Sequence, residues 1–315
     1  MANILLAVIG WDPKGWEQRF RALAPQHVIR VWPEQAGDPS EIDYACVWNP
    51  PRGLLATYLN LKAIFSLGAG VDDLLNDPRL PPVPIVRIVD TDLSMRMNEY
   101  VLLQVLSCHR RQRLYDAQQR ERLWRDHEQP PASEVSVGIM GLGELGSNAA
   151  SLLHRIGFKV AGWSRTPKTL PGVETFSGPV GLGGFLRRTE ILVSLLPATP
   201  ATRGILNLDL FRKLKYNGAL RGAYLINAGR GALQVDNDII EALDEGALAG
   251  AILDVFPTEP LPLASPLWTH PKVSITPHNG ANSQPHTVVD YILRQIDRCE
   301  FGVPLQHVID RETGY

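Results

Sequence analysis

Apolar positions along the first hundred residues fall into short, nearly continuous runs separated by amphipathic stretches. "NILLAVI" from Asn3, "YACVWNP" from Tyr44, "AIFSLG" from Ala63 and "PIVRIVD" from Pro84 are bounded by Gly, Pro, Asn or Asp and read as strands. "GWEQRFRALAP" reads as a helix. A long helical pattern then runs from about Asn98 to about Asp126, with Val101, Leu102, Val105 and Leu106 at helical spacing, until "HEQPPASE" breaks it. The alternation restarts at Val135: "VSVGIM", a glycine turn, a helix through "NAASLLHRIG", then "KVAGW". Further strands are predicted at "EILVSLLP", "GAYLIN", "AGAILDV" and "KVSITP", and "QPHTVVDYILRQIDRCEFG" closes the chain as an amphipathic helix. Strands alternating with helices imply parallel sheets covered on both faces, so the fold class is α/β with two such units.

Composition narrows the function classes. A net charge of -2 supplies no global basic field to recruit nucleic acid. The one basic stretch, "CHRRQRLYDAQQRERLWR", is interrupted or followed by Asp116, Glu121, Asp126 and Glu128, which fits a solvated or dimer-facing helix. No apolar run reaches the roughly 20 residues of a membrane span, and "MANILLAVIG" lacks the basic start of a signal peptide. Cys46, Cys108 and Cys299 are odd in number and show no metal-ligand spacing, as expected of reduced thiols in a cytoplasmic protein with no metal.

The strand–turn–helix segment "GIMGLGELGSNAASLL" carries Gly141, Gly143 and Gly146 at the spacing of a dinucleotide site. The first glycine permits the tight turn, the second lets a pyrophosphate approach the backbone, and the third permits close helix–strand packing. About 20 residues on, an NAD site places Asp or Glu to bind the ribose hydroxyls. This chain has Trp163, Ser164, Arg165 and Thr166 there. A carboxylate repels a 2′-phosphate, whereas Arg165 pairs with one and the two hydroxyls can donate to it, so the expected cofactor is NADPH rather than NADH.

Three further segments place reactive groups just past apolar strands: Arg230 in "LINAGRGALQ", Asp254 and Glu259 in "AILDVFPTEPLP", and His278 in "ITPHNGA". Ligands of open parallel sheets bind beyond the carboxyl ends of the strands, so these distant residues can converge. Arg230 offers a fork for a substrate carboxylate and a donor to the neighbouring carbonyl. His278 can give or take a proton near neutrality. Glu259, if paired with His278, orients the ring and favours the imidazolium, and Asp254 is read as aimed at the nicotinamide edge.

"GLGELG", "NAGRG", "LDVFPTEPLP" and "TPH", in this order and at these separations, resemble the D-2-hydroxyacid dehydrogenase family. "VWNPP", "FSLGAGVDDLL", "WSRTPK", "FSG", "SPLWTHPKVSITPH" and the terminal "GY" resemble its glyoxylate/hydroxypyruvate reductase A subgroup. The resemblance implies a substrate-binding domain of residues 1–97 and 283–315, an inserted dinucleotide-binding domain of residues 98–282, both Rossmann-like, with a cleft between them, and a homodimer. It implies Arg230, Glu259 and His278 as catalytic residues. It further implies a substrate site at Trp48 and the Leu67, Gly68, Ala69, Gly70 loop, whose successive N–H groups could hold a carboxylate. Around the cofactor it implies Met97, Leu142, Glu144, Leu145, Leu196, Pro197, Thr199, Asn227, Ala228 and Gly229. Asn279 and Gln284 depart from the pattern, where an apolar residue and an Arg are usual. The activity implied is NADPH-dependent reduction of glyoxylate or hydroxypyruvate; the competing readings are an NAD-dependent dehydrogenase of a larger 2-hydroxy acid and a non-catalytic NAD(P)H sensor.

Overall fold

The computed structural model describes residues 1–312 and 314, so Tyr315 of the terminal "GY" lies outside the described residues. The chain divides into two compact units, Met1–Leu93 with Asn282 onward, and Ser94–Ala281.

The first unit holds strands β1 (Asn3–Val8), β2 (Val28–Val31), β3 (Tyr44–Trp48), β4 (Ala63–Ser66) and β5 (Ile85–Val86), helices α1 (Lys14–Leu23) and α2 (Asp72–Leu75), and the start of α3 (Thr91–His109). All pair in parallel in the order β2-β1-β3-β4-β5. Ile4 to Val8 are all buried, as a strand covered on both faces requires. Trp16 and Phe20, four apart on α1, are buried on one face. The chain's last helix, α9 (Pro285–Glu300), begins with proline at its first turn and buries Val288, Val289, Ile292 and Ile296. Arg19 of α1 meets Asp290 of α9 at 3.0 Å.

The second unit holds most of α3, then α4 (Gln112–Arg120), β6 (Ser136–Met140), α5 (Glu144–Ile156), β7 (Lys159–Ser164), β8 (Glu174–Ser177), α6 (Gly178–Leu186), β9 (Ile191–Ser194), α7 (Leu208–Phe211), β10 (Tyr224–Asn227), α8 (Asp236–Glu245), β11 (Gly250–Leu253) and β12 (Val273–Ile275). Its seven strands are parallel in the order β12-β11-β10-β9-β6-β7-β8. Ile191 to Val193, Leu225 and Ile226, and Leu253 are sealed between helices, each contributing about 1.5–3 kcal/mol relative to exposure.

Several elements differ from the sequence reading. The single helix expected from about Asn98 opens at Thr91 and is divided, because Arg111 adopts a left-handed φ of 55° and ends one helix before α4 begins. β2 and β8 lie on sheet edges, are four residues each and are broken by polar or partly exposed positions, so they lack the continuous buried apolar run of central strands. α6 forms despite Gly181, Gly183 and Gly184 because Phe185 and Leu186 are buried and Phe176 covers the small glycine face.

Candidate active site

The loops that carry Arg230, Glu259 and His278 leave the carboxyl edge of the second unit's sheet. The strand order reverses between β6 and β9, and the glycine turn follows β6 at that reversal. Gly141 holds φ +102°, and a Cβ on it would stand 2.8 Å from Leu195 O. A Cβ on Gly146 would stand 1.8 Å from Gly141 O, so α5 closes on the turn only with glycine there. Gly143 is the opposite case: nothing lies within 4 Å of such a Cβ, and it caps α5 without any side-chain hydrogen bond. The first N–H groups of α5 and its positive dipole end therefore face a cradle that suits a phosphate. The Glu144 carboxylate is held by Asn148 Nδ2 at 3.1 Å, one turn along the helix. Met97 and Leu142 are buried in the core behind the turn, and Leu145 packs on that core.

The turn is tied to β7 by Gly141 N donating to Trp163 O at 2.8 Å. Trp163 is buried and donates through Nε1 to Gly178 O at 2.9 Å. The Ser164 hydroxyl, expected to donate to a ligand, gives its proton to Thr166 O at 2.8 Å and so bends the chain around Arg165. Arg165 and Thr166 are exposed. After β9, Leu196 is buried, while Thr202 Oγ1 donates to Pro197 O at 2.7 Å and accepts from Thr199 N at 2.8 Å, closing that loop.

Arg230 stands on a loop with little freedom. Asn227, fully buried at the end of β10, donates to Arg230 O at 3.2 Å and to Gln234 Oε1 at 2.8 Å and accepts from Gly229 N at 3.2 Å. Its side chain thus shapes the loop. A Cβ on Gly229 would lie 2.8 Å from Leu196 O, and one on Gly231 would lie 1.9 Å from Phe256 C. Only glycines on either side of Arg230 let its loop fit between those that follow β9 and β11. Ala228 is buried, and Arg230 Nη1 donates to its neighbour Gly229 O at 2.8 Å.

Beyond β11 the chain curls so that Phe256 N donates to Glu259 Oε1 at 2.9 Å. Glu259 Oε2 meets His278 Nδ1 at 2.7 Å, each side chain about one-third exposed (36% for both). Burial alone would push the Glu259 carboxyl up. The hydrogen bonds from His278 and Phe256 N, with the charges of His278 and Arg230, outweigh it and hold the carboxyl below its usual value. Arg230 and His278 therefore act on one carboxylate although 48 residues separate them in the chain (278 − 230).

Asp254, expected at a nicotinamide edge, is committed inward at 1% exposure. Its Oδ1 accepts from Thr276 Oγ1 at 2.5 Å and Asn279 N at 3.0 Å, its Oδ2 accepts from Gly280 N at 3.0 Å, and its backbone O accepts from His278 N at 2.8 Å. Since the Thr276 proton goes to Asp254, the Tyr100 hydroxyl donates to Thr276 Oγ1, 2.8 Å away. This network pins the Thr276–Gly280 loop on both sides of His278, whose φ of 51° is left-handed and unfavourable for a branched side chain. Nothing in the local sequence signals Thr276 or Tyr100; the partners meet only in the fold.

In the first unit, Trp48 ends β3 and Leu67 to Gly70 follow β4. Leu67 is buried. Ser66 Oγ lies 2.9 Å from Gly68 O and 3.1 Å from Gly70 O and accepts from Gly68 N at 3.3 Å. Gly68 N is thus engaged by Ser66. Gln284 stands at the N-cap position of α9 without a side-chain cap, and its amide donates to Asn282 O, 3.4 Å away. Among the described residues no group of His, Cys, Asp or Glu is arranged to hold a metal ion, and no helix is long and apolar enough to cross a membrane.

The sequence model of the D-isomer specific 2-hydroxyacid dehydrogenase NAD-binding domain matches residues 102–280. Glyoxylate/hydroxypyruvate reductase A of Escherichia fergusonii is 44% identical over 311 residues, 97% of each chain. The crystal structure of NADPH-dependent glyoxylate/hydroxypyruvate reductase from Sinorhizobium meliloti, in complex with NADP and sulfate, is similar with a TM-score of 0.96 at 45% identity over 100% of both chains. A D-isomer specific 2-hydroxyacid dehydrogenase from Xanthobacter autotrophicus, in complex with NADPH and MES, reaches 0.93 at 40% identity over 100% of this chain and 99% of that one.

Proposed function

Because the chain belongs to the D-isomer specific 2-hydroxyacid dehydrogenase family, we propose that it reduces small 2-oxo acids, glyoxylate to glycolate and hydroxypyruvate to glycerate, with NADPH. The observation that carries this reading is the Glu259–His278 pair at 2.7 Å with the Arg230 charge bearing on the same carboxylate. The second unit is the dinucleotide side, where Gly141, Gly143, Gly146 and the start of α5 hold the pyrophosphate, and Arg165, in the stretch where an NAD site carries Asp or Glu, meets the 2′-phosphate. The first unit is the substrate side, its Ala69 and Gly70 N–H groups receiving the acid.

When bound, NADPH supplies the hydride that adds to the carbonyl carbon. Arg230 binds the substrate carboxylate and donates to the carbonyl oxygen, stabilising the charge that grows there as the C=O π bond breaks. His278 Nδ1 is engaged by Glu259, so Nε2 is the position from which a proton passes to that oxygen, leaving a neutral imidazole and a 2-hydroxy acid. Glu259 stays ionised and keeps the ring oriented. Asp254 holds the backbone that carries His278.

Initial rates of NADPH and NADH oxidation over a panel of 2-oxo acids test this. Saturable turnover of glyoxylate or hydroxypyruvate with NADPH is expected, and Arg165→Asp should move preference toward NADH. Preference of the wild type for NADH overturns the cofactor assignment, and no turnover of any 2-oxo acid overturns the function. We assign the assembly as a cytoplasmic homodimer. Leu103, Leu114, Leu123 and Trp124 are exposed on or just after α3 and α4, and light scattering should give twice the 34.8 kDa chain mass.

A further inference from the structure

We propose that Trp11 is a specificity-determining residue: by stacking on Trp48 it clamps that ring over Gly68 and fixes the wall that limits the size of the 2-oxo acid. The proposal rests on the reading above that the first unit receives the substrate.

In the order β2-β1-β3-β4-β5 the chain direction of strand addition reverses between β1 and β3. Parallel sheets of this order hold ligands beyond the carboxyl ends of the strands at that reversal. Trp11 follows β1 by three residues and Trp48 is the last residue of β3, so both occupy the reversal point. Ile9 N donates to Trp48 O at 3.0 Å, which fixes the spacing of the two chain segments from which the rings rise.

The rings are stacked in series. Trp11 and Trp48 lie 4.3 Å apart between centroids at 13°, and Trp11 and Trp16 lie 6.1 Å apart at 9°. Trp16 is 3% exposed in α1 and anchors the series to the core. At the far end, a Cβ on Gly68 would stand 2.0 Å from Trp48 Cζ3, so the ring rests directly on the backbone that opens the Gly68–Gly70 loop. Trp48 is thus confined between an aromatic ring and a glycine, and it stays half-buried with part of its surface open. A side chain held this way cannot rotate to admit a bulkier ligand. Removing Trp11 opens the side away from the loop and frees Trp48 to swing into it.

Three variants test the assignment: Trp11→Ala, Trp11→Leu, which fills volume without a ring, and Trp11→Phe, which restores a ring. Each is assayed with NADPH against glyoxylate and 2-oxoisocaproate, with circular dichroism reporting the exciton couplet of the stacked tryptophans. Loss of the couplet is expected in Trp11→Ala and Trp11→Leu. With it, the ratio of kcat/KM for 2-oxoisocaproate over glyoxylate should rise by about tenfold, with KM for NADPH unchanged. Trp11→Phe should return the ratio to near the wild-type value. If glyoxylate turns over in the wild type but the ratio stays put in Trp11→Leu once the couplet is gone, Trp11 does not set specificity. If the wild type turns over no 2-oxo acid, the underlying function fails and the proposal fails with it.

Discussion

Glu190 and Asp254 are buried carboxylates at opposite ends of the same seven-stranded sheet, and they are satisfied in nearly the same way. Glu190, 0% exposed at the start of β9, accepts from Ser136 N and Ser136 Oγ at 3.0 Å each and from Leu220 N at 3.0 Å. Asp254, 1% exposed at the end of β11, accepts from Asn279 N and Gly280 N at 3.0 Å each and from the Thr276 hydroxyl. Burial and hydrogen-bond saturation therefore do not tell them apart. What they tether does. Glu190 binds the amino ends of β6 and of the segment entering β10, places where regular strands already fix the backbone. Asp254 binds a loop that regular structure does not support and that carries His278 at a left-handed φ. At the carboxyl edge a saturated carboxylate thus holds the loop that carries His278 in place, whereas at the amino edge it holds the sheet together.

The sharpest way to break this contrast is to remove both groups and compare. Asp254→Asn should lower kcat for glyoxylate by about 10²-fold through displacement of His278, with the larger part of folding stability retained. Glu190→Ala strands two backbone N–H groups and should cost about 3 kcal/mol in denaturant unfolding, with kcat below the transition within about twofold of wild type. Exchanged outcomes would show that the end of the sheet does not decide the role.

Titration of Glu259 gives a smaller effect. Its carboxyl lies below the usual value in the folded chain, so its pairing with His278 stabilises the fold above the unfolded carboxyl pKa. That contribution is lost as pH falls through the lowered value. Melting temperatures of wild type and Glu259→Gln should therefore converge on acidification across about pH 6 to 3, and a constant difference would show that the pair is not ionic. In Glu259→Gln kcat should fall by about tenfold as the ring loses its orientation. The smallest effect is expected from Tyr100→Phe, which removes the donor to Thr276 Oγ1. A stability loss of about 1 kcal/mol and a kcat reduced by about threefold would place Tyr100 behind the Asp254 network; an unchanged kcat would confine it to packing.

The glycine turn and Arg230, Glu259 and His278 are legible in the sequence because their constraints are local: glycine where a Cβ cannot fit, and charge just past an apolar strand. Asp254 satisfies the same local rule, which is why "LDVF" reads as a carboxylate facing a ligand. Its hydrogen-bond partners within the chain lie 22 to 26 residues further on, and no short pattern shows them. The Ser164 contact is hidden for a related reason, since a hydroxyl beside Arg165 suits a phosphate as well as it suits the Thr166 carbonyl to which it donates. The α3–α4 break turns on one left-handed arginine inside a continuous polar stretch, where apolar periodicity gives no warning. The stack of Trp16, Trp11 and Trp48 joins a helix, a loop and a strand end, so it exists only once β1 and β3 are neighbours.

The most direct test is kcat/KM for glyoxylate with NADPH in Arg230→Ala, measured on protein whose melting temperature matches wild type. If Arg230 and the Glu259–His278 pair act on one 2-oxo acid, the value should fall by about 10³-fold. Near wild-type activity in that variant would separate the guanidinium from the imidazole and contradict a shared site.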